Sequence, residues 1–358
     1  MKIFIRADGG NTIGLGHIMR MLVLAEELKK NNEVIFLCRS SKMDNNIRKL
    51  NSDKSDFNCN FENEKFKAGI EKVKENGFKV CMIHEEQVIE DIINLQKDFK
   101  ADLIITDSYD VDELYFNKLK PHFRLSGYVD DVNKFKMNVD FIINQNINAE
   151  DINYSDNANN NTKLFLGTKY CMLREEFRKD YTKKELKEKC EDLLLTLGGM
   201  DNKFNTLKIL QQIINCHINI HVVIGSAFDK KLIKELYVLA QAHNNIKLYE
   251  NANMSSLMEK SDVAISACGS TLYELCAMNV PIIGIIIAEN QEKVAMKMKE
   301  DKLIAEAYFV DEIKENELSI VLCKLINDKR FREDMIIKQR QVVNIDGIKL
   351  LADEINIL

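Results

Sequence analysis

The sequence predicts an α/β protein built from two doubly wound, Rossmann-like domains that face a cleft. Three observations predict it. Short β-branched or apolar runs alternate with longer helical patterns along the whole chain, as parallel sheets with crossover helices require. These runs fall into two sets of about six, one in each half. The length, 358 residues, exceeds the roughly 250–300 that one hydrophobic core sustains.

In the first half the strand candidates are 2–6, 33–38, 79–83, 103–106, 124–129 and 141–144; in the second they are 192–197, 218–224, 246–249, 263–266, 282–286 and 307–310. Between them apolar residues recur at helical spacing. Ile18, Met21, Leu22, Ala25 and Leu28 are three or four apart and share one helix face. The stretch 148–163 is rich in Asn and Asp, has few large apolar residues, and reads as an exposed loop. A second polar stretch, 178–191, is dense in Lys and Glu and reads as a linker or a solvated helix, which sets the expected domains at 1–177 and 178–358. From Glu315 onward the chain is charged and helical in pattern.

The balance of 50 Lys+Arg against 56 Asp+Glu, a net charge of −6, argues against a nucleic-acid binder, which needs a basic face. It leaves room for a small anionic ligand, because a few backbone N–H groups bind one phosphate without net positive charge. No targeting segment is visible, and the longest apolar stretch, 280–288, is too short for a bilayer, which takes about 20 residues. Nine cysteines form no C-x-x-C pair, which predicts a reduced, cytoplasmic protein with no disulfide framework and no zinc site. His217 and His221 are four apart but straddle a strand entry, not one helix face.

The first motif with chemistry in it joins the first strand to the first helix: Ala7-Asp8-Gly9-Gly10-Asn11-Thr12-Ile13-Gly14-Leu15-Gly16-His17. Ligands of open α/β sheets bind at the carboxyl ends of strands, and four glycines within residues 9–16 let the backbone turn sharply and approach a ligand. It is not a phosphate-binding P-loop, which ends in Gly-Lys-Ser/Thr, nor a dinucleotide fingerprint, since Met19 stands where a third glycine belongs. His17, on the first turn of the helix, is placed to act as general base toward water or a hydroxyl; a capping or packing histidine is the plain alternative. Asp8 is its expected partner carboxylate, or else a turn residue.

Further motifs repeat the strand–loop–helix pattern. Leu197-Gly198-Gly199-Met200-Asp201 offers a nest of N–H groups, or an ordinary tight turn. Ser266-Ala267-Cys268-Gly269-Ser270-Thr271 leads into a helix where Glu274 lies about one turn along. There the hydroxyls and N–H groups suit a phosphate and the carboxylate suits ribose hydroxyls, while Thr271-x-x-Glu274 equally fits a capping box. Glu289-Asn290-Gln291 follows a buried strand, as recognition amides or as loop formers. In the first domain Asp107 and Tyr109, Asp130 and Asp131, and Asn144 put polar side chains at strand ends. Tyr170 and Arg174 stand near the expected hinge. Glu175 and Glu176 are no catalytic pair, because adjacent helix positions point apart.

Taken together, Arg6-Ala7-Asp8, Gly14-x-Gly16-His17-x-x-Arg20, Leu197-Gly198-Gly199-x-Asp201, Ser266-x-x-Gly269-Ser270-Thr271-x-x-Glu274, Glu289-Asn290-Gln291 and Tyr170-x-x-Leu173-Arg174-x-Glu176-Phe177 resemble the UDP-sugar hydrolases of pseudaminic acid biosynthesis. More loosely they resemble the lipid-linked N-acetylglucosaminyltransferases of peptidoglycan synthesis, which share the two-domain GT-B fold. The resemblance runs to about residue 310. It implies a metal-independent, cofactor-free hydrolase that splits a UDP-linked 2,4-diacetamido-2,4,6-trideoxyhexose into UDP and free sugar, with His17 activating water and inversion at the anomeric carbon. It implies an N-terminal sugar and catalytic domain and a C-terminal UDP-binding domain, with pyrophosphate at Gly269–Thr271 and ribose at Glu274. Further expectations are a monomer with no nucleic-acid partner and no membrane insertion, in a nonulosonic acid pathway such as flagellin glycosylation. A glycosyltransferase of the same fold and a non-catalytic sugar-nucleotide-binding protein are the competing readings. The stretch 42–67, with charge of both signs and no apolar stripe, counts against a transferase that meets a membrane-bound acceptor.

Overall fold

The computed structural model describes residues 1–10, 13–41, 65–179 and 185–358. Most of the mixed-charge stretch 42–67, and residues 180–184 of the polar stretch 178–191, lie outside the described residues. Packing divides the chain into two compact units: residues 1–144, 152–166 and 351–358 in the first, and 145–151 and 167–350 in the second. The single cut expected after residue 177 is therefore replaced by several crossings. The segment after Leu166 already packs with the second unit, because Cys171, Leu173 and Phe177 are buried in that unit's core.

The first unit runs β1 (Lys2–Ala7), α1 (Gly16–Leu28), β2 (Glu33–Ser40), α2 (Lys67–Glu75), β3 (Lys79–His84), α3 (Val88–Phe99), β4 (Leu103–Asp107), α4 (Glu113–Leu119), β5 (Leu125–Val129), β6 (Phe141–Asn144) and β7 (Lys163–Leu166). Its seven strands form a parallel sheet in the order β3-β2-β1-β4-β5-β6-β7. Both faces are covered, so β1 and β4 read as nearly unbroken apolar runs and not as alternation. On one face Phe4, Ile35, Ile104 and Ile142 pack with Ile92 of α3 and Tyr115 and Phe116 of α4.

The second unit contains β8 (Asp192–Thr196), α5 (Asn205–Ile213), β9 (Asn219–Ile224), α6 (Lys230–Ala242), β10 (Ile246–Glu250), α7 (Met254–Lys260), β11 (Val263–Ala267), α8 (Thr271–Ala277), β12 (Ile282–Ile286), α9 (Glu292–Glu300), β13 (Ala307–Phe309), α10 (Glu317–Asn327), α11 (Lys329–Val342) and only the first turn of α12 (Gly347–Ile357), the rest of which is grouped with the first unit. Its six strands are parallel in the order β10-β9-β8-β11-β12-β13. Side chains alternate across this sheet with period two: Leu193, Leu195, Ile265 and Ile283 enter one core layer, Leu194, Ala264 and Ile282 the other.

Twelve of the strands fall where the sequence places them, to within a residue or two at the ends. The exception is β7, which lies at the end of the stretch expected to be a loop. It is four residues long, begins on the last residue of that stretch and sits at the sheet edge, where Lys163 and Leu164 are exposed and its apolar run of three, Leu164–Leu166, is too short to read as a strand by itself. That same stretch is not wholly exposed: Tyr154 is buried in the first unit's core. Among the described residues no helix is long and apolar enough to cross a membrane.

Each strand order reverses direction once, between β1 and β4 in the first unit and between β8 and β11 in the second. At such a switch point the loops leaving the two neighbouring strands part to opposite faces and open a crevice at their carboxyl ends. The register brings Ala7 level with Asp107 in one sheet and Thr196 level with Ser266 in the other. The motif loops therefore start at the two places where an open α/β sheet binds ligands. Gly127 on β5 tests how tightly this frame is packed. A Cβ there would lie 2.1 Å from the ring of buried Phe141, so Gly127→Ala is expected to lower stability by about 1–3 kcal/mol, read as a lower urea midpoint at unchanged slope.

Candidate functional site

The glycines after β1 have two separate tasks. Gly9 and Gly10 lie against the backbone entering α2: the Gly69 N–H donates to the Gly9 carbonyl at 3.1 Å, and a Cβ on Gly10 would stand 2.1 Å from the Lys65 oxygen. Gly10 and Gly14 then exchange two backbone hydrogen bonds, at 3.0 and 2.9 Å, which close a tight loop whose Asn11 and Thr12 lie outside the described residues. Gly14 has φ +70°, a conformation that strains any side chain, while a Cβ on Gly14 or Gly16 would meet nothing within 4 Å. So the first pair fits the loop to the fold, and the second pair faces open space beside His17.

His17 is the second residue of α1. Its Nδ1–H donates to Oδ1 of Asp107, at the end of β4, over 2.7 Å. A carboxylate oxygen only accepts, so Nδ1 carries the hydrogen, and in the neutral ring Nε2 is then the acceptor. Arg20, one turn further along α1, holds the other side of the same carboxylate, with Nε donating to Oδ2 and Nη2 to Oδ1, both at 2.6 Å. The Arg20 Nη1 atom reaches both oxygens of Asp131, at 3.1 and 2.9 Å. The Tyr109 O–H donates to Asp131 Oδ2 at 2.7 Å, and the Tyr109 ring stands edge-on to the imidazole at 4.7 Å between centroids.

Asp107 is completely buried, yet charged. Burial alone pushes its carboxyl up, but Arg20 and then His17 outweigh this and hold it well below the usual carboxylate range. Burial likewise works against the Arg20 charge, and Asp107 and Asp131 reverse that and raise its pKa. The His17 side chain remains 14% exposed and that of Arg20 13%, while Asp107 behind them is sealed from water. Such an imidazole, oriented by a carboxylate behind it, can take a proton from a water or hydroxyl in front of it.

Several expected site residues have other tasks. Asp8 is not the partner of His17: its oxygens accept from the Arg39 backbone N–H at 2.8 Å and Arg39 Nε at 2.7 Å, and Arg6 stands 3.0 Å away. The alternation of the pleat explains this, since Asp107 and not Asp8 ends its strand beside α1. Arg20, expected to bind substrate, has all three guanidinium nitrogens on carboxylates. Asn144 is fully buried and donates to the Tyr154 hydroxyl at 3.0 Å. Asp201 is buried and accepts from the N–H groups of Asn205 and Thr206 at 2.8 and 2.7 Å, tying down the start of α5. Ser266 is buried within β11, and Tyr170 is nearly so.

The second unit's loops keep open backbone. A Cβ on Gly198 or Gly199 would meet nothing, while on Gly225, after β9, it would stand 2.5 Å from both of their carbonyl oxygens. Gly225 is thus a support that the sequence motif did not single out; its glycine follows β9 without any pattern around it. After β11, the N–H groups of Gly269 and Ser270 make no hydrogen bond among the described residues. Gln291 lies 3.8 Å from where a Gly269 Cβ would be, and Glu289 and Asn290 are exposed. Thr271 opens α8, and Glu274 on that helix accepts from Arg174 Nε at 2.9 Å and Nη2 at 3.1 Å. Burial pushes the Glu274 carboxyl up and Arg174 only partly offsets it. No group of three or more His, Cys, Asp or Glu is arranged to hold a metal ion among the described residues.

Comparison with known proteins places this geometry in context. The model of the glycosyltransferase family 28 C-terminal domain matches residues 172–351. The chain is 28% identical to an uncharacterized protein of Methanocaldococcus jannaschii, over 98% of this chain and 72% of that one. It is 27% identical to the UDP-2,4-diacetamido-2,4,6-trideoxy-beta-L-altropyranose hydrolase of Campylobacter jejuni, over 82% of this chain and 95% of that one. Among solved structures it superimposes on MurG of Acinetobacter baumannii with a TM-score of 0.66 at 13% identity, covering 100% of this chain and 99% of that one, which establishes the GT-B fold.

Two carboxylates with different partners give different outcomes. Asp8→Asn leaves Arg6 without its counter-charge and Arg39 with Asp110 alone, and is expected to lower stability by about 3–5 kcal/mol in urea denaturation, with the imidazole ¹⁵N shifts of His17 unchanged. The stability that Asp107 contributes is complete above about pH 4 and is lost as pH falls toward its own lower pKa. Asp107→Asn should therefore flatten the acid side of the stability–pH curve measured between pH 3 and 5.

Proposed function

The chain belongs to glycosyltransferase family 28 through its C-terminal domain, and from that premise we propose that it hydrolyses a UDP-linked sugar, with His17 as the general base on water. The observation that carries this reading is the Asp107-held imidazole at the first unit's switch point, with Nδ1 on the carboxylate and the side chain still partly exposed. The substrate class rests on two relatives: the Campylobacter jejuni protein, and a Helicobacter pylori protein named as a cytidylyltransferase and the same hydrolase, 28% identical over 53% of this chain. By that kinship the substrate is a UDP-linked 2,4-diacetamido-2,4,6-trideoxyhexose, and the reaction serves pseudaminic acid biosynthesis in the cytoplasm.

The chemistry then runs as one displacement. The water oxygen bonds to the anomeric carbon as Nε2 of His17 takes its proton, and the bond from that carbon to the β-phosphate oxygen breaks on the opposite face. UDP departs with the electron pair, and the free sugar has inverted configuration. Asp107 holds the tautomer and balances the imidazolium that forms, as a buried carboxylate does behind a catalytic histidine. In the second unit, the free N–H groups of Gly269 and Ser270 and the open Gly198–Gly199 backbone are suited to bind a diphosphate. Glu274 has lone pairs left beside its Arg174 bonds for ribose hydroxyls. Because UDP is a good leaving group, charge stabilisation matters more here than a general acid.

The family also supports a second reading, in which the same imidazole deprotonates an acceptor hydroxyl and the sugar is transferred. One experiment separates the two. An NMR time course with candidate UDP-diacetamido sugars should show UDP and inverted free sugar forming without any acceptor. His17→Ala should reduce kcat roughly 10²–10⁴-fold and leave the calorimetric Kd for UDP unchanged. Turnover only on adding an acceptor would favour transfer, and undiminished turnover by His17→Ala would remove the histidine from the mechanism.

A further inference from the structure

We propose that Tyr154 is a positioning residue for His17, acting through the turn that carries Asp131. The inference rests on the reading of His17 as the base. Tyr154 comes from the Asn- and Asp-rich stretch 148–163, which has no part in the site as the sequence describes it. Its ring is buried in the first unit's core beside Tyr115, Phe116 and Ile142.

The Tyr154 hydroxyl works in both directions. It accepts from Asn144 Nδ2 at 3.0 Å and donates to Asp130 Oδ2 at 2.7 Å. Asp130 is itself 1% exposed, and its carboxylate accepts the backbone N–H groups of Val132, at 3.3 Å, and Asn133, at 3.1 and 2.9 Å. An Asp bonded to the N–H groups two and three residues ahead fixes a turn, and here the turn passes through Asn133 at φ +51°. The residue inside that turn is Asp131, whose side chain holds Arg20 and Tyr109. Arg20 in turn clamps the carboxylate that orients His17. A series of hydrogen bonds and ion pairs therefore runs from Asn144 to the imidazole, joined in its middle by the backbone of the turn at 130–133.

Asp130 depends on its donors because burial pushes its carboxyl up, and the Tyr154 O–H is the first of the hydrogen bonds that pull it back. Without that donor the turn is held by backbone N–H groups alone, around a buried carboxylate whose charge is less well supported. Asp131 then loses its fixed aim, and Arg20 can rotate on Asp107.

Tyr154→Phe keeps the buried ring and removes only the hydroxyl. The matched control is Tyr115→Phe, which deletes a hydroxyl of the same core, bonded to Thr106 at 2.9 Å and outside this series. With the proposed substrate, Tyr154→Phe should lower kcat about tenfold at unchanged KM, the scale seen when an outer partner of a functional side chain is lost. Tyr115→Phe should leave kcat where it was. The His17 Nδ1–H proton and ¹⁵N resonances should shift or broaden in Tyr154→Phe and not in Tyr115→Phe. Unchanged imidazole resonances in a folded Tyr154→Phe protein would overturn the proposal, as would equal losses in both variants that track their melting temperatures. If Tyr154→Phe does not fold, Asn144→Leu removes the donor that orients the hydroxyl, and the same resonances decide. Should the wild-type chain release no UDP, the proposed reaction falls, while the imidazole signals still test the positioning role.

Discussion

A single buried carboxylate organises the first unit's site. Asp107 has no exposure to water, and an ion so placed loses several kcal/mol of hydration that its neighbours must return. Three charge-assisted contacts at 2.6–2.7 Å return it: two from Arg20 and one from His17. The requirement acts in both directions. Because Asp107 must be satisfied, Arg20 and His17 are held to one geometry, and because Nδ1 is committed inward, Nε2 is presented outward. The orientation of the imidazole is thus a by-product of solving a desolvation problem.

That arrangement depends in turn on topology. His17 and Arg20 ride on the helix that follows β1, Asp107 ends β4, and Asp131 follows β5, residues more than a hundred positions apart at the extremes. They meet because β1, β4 and β5 are adjacent in a parallel sheet whose strand order reverses between the first two. The same logic recurs in the second unit, where the Gly198–Gly199 turn leaves β8 and the Gly269–Thr271 turn leaves its neighbour β11. A parallel sheet gathers all its strand ends at one edge, which makes that edge the place where distant loops can share a ligand.

Some of the polar residues at this edge have their hydrogen bonds taken up within the fold, and this has a physical basis. Asp8 and Asp201 are each buried and each accept from nearby backbone N–H groups, of Arg39 in one case and of the first turn of α5 in the other. A buried carboxylate that already has its donors has little to offer a substrate. Gly9 and Gly10 are similar: close backbone approach from α2 requires glycine there, whatever lies beyond. Gly14, Gly16, Gly198 and Gly199 differ, because there the missing Cβ opens onto space.

The sequence by itself determined the parallel α/β class, nearly every strand, the placement of His17 at a strand–helix loop and the position of the small-residue turns. These are local properties: apolar periodicity and glycine spacing report on residues within a few positions of one another. It could not show that His17 pairs with Asp107 instead of Asp8, since choosing between two carboxylates requires knowing which strand lies beside α1. Nor could it show β7, whose four residues at the sheet edge hold their place through pairing with β6, or the burial of Tyr154 inside a stretch of asparagines. Only the tertiary structure decided these, because strand order and hydrogen-bond partners are set by contacts between distant segments, and no local pattern in the chain encodes them.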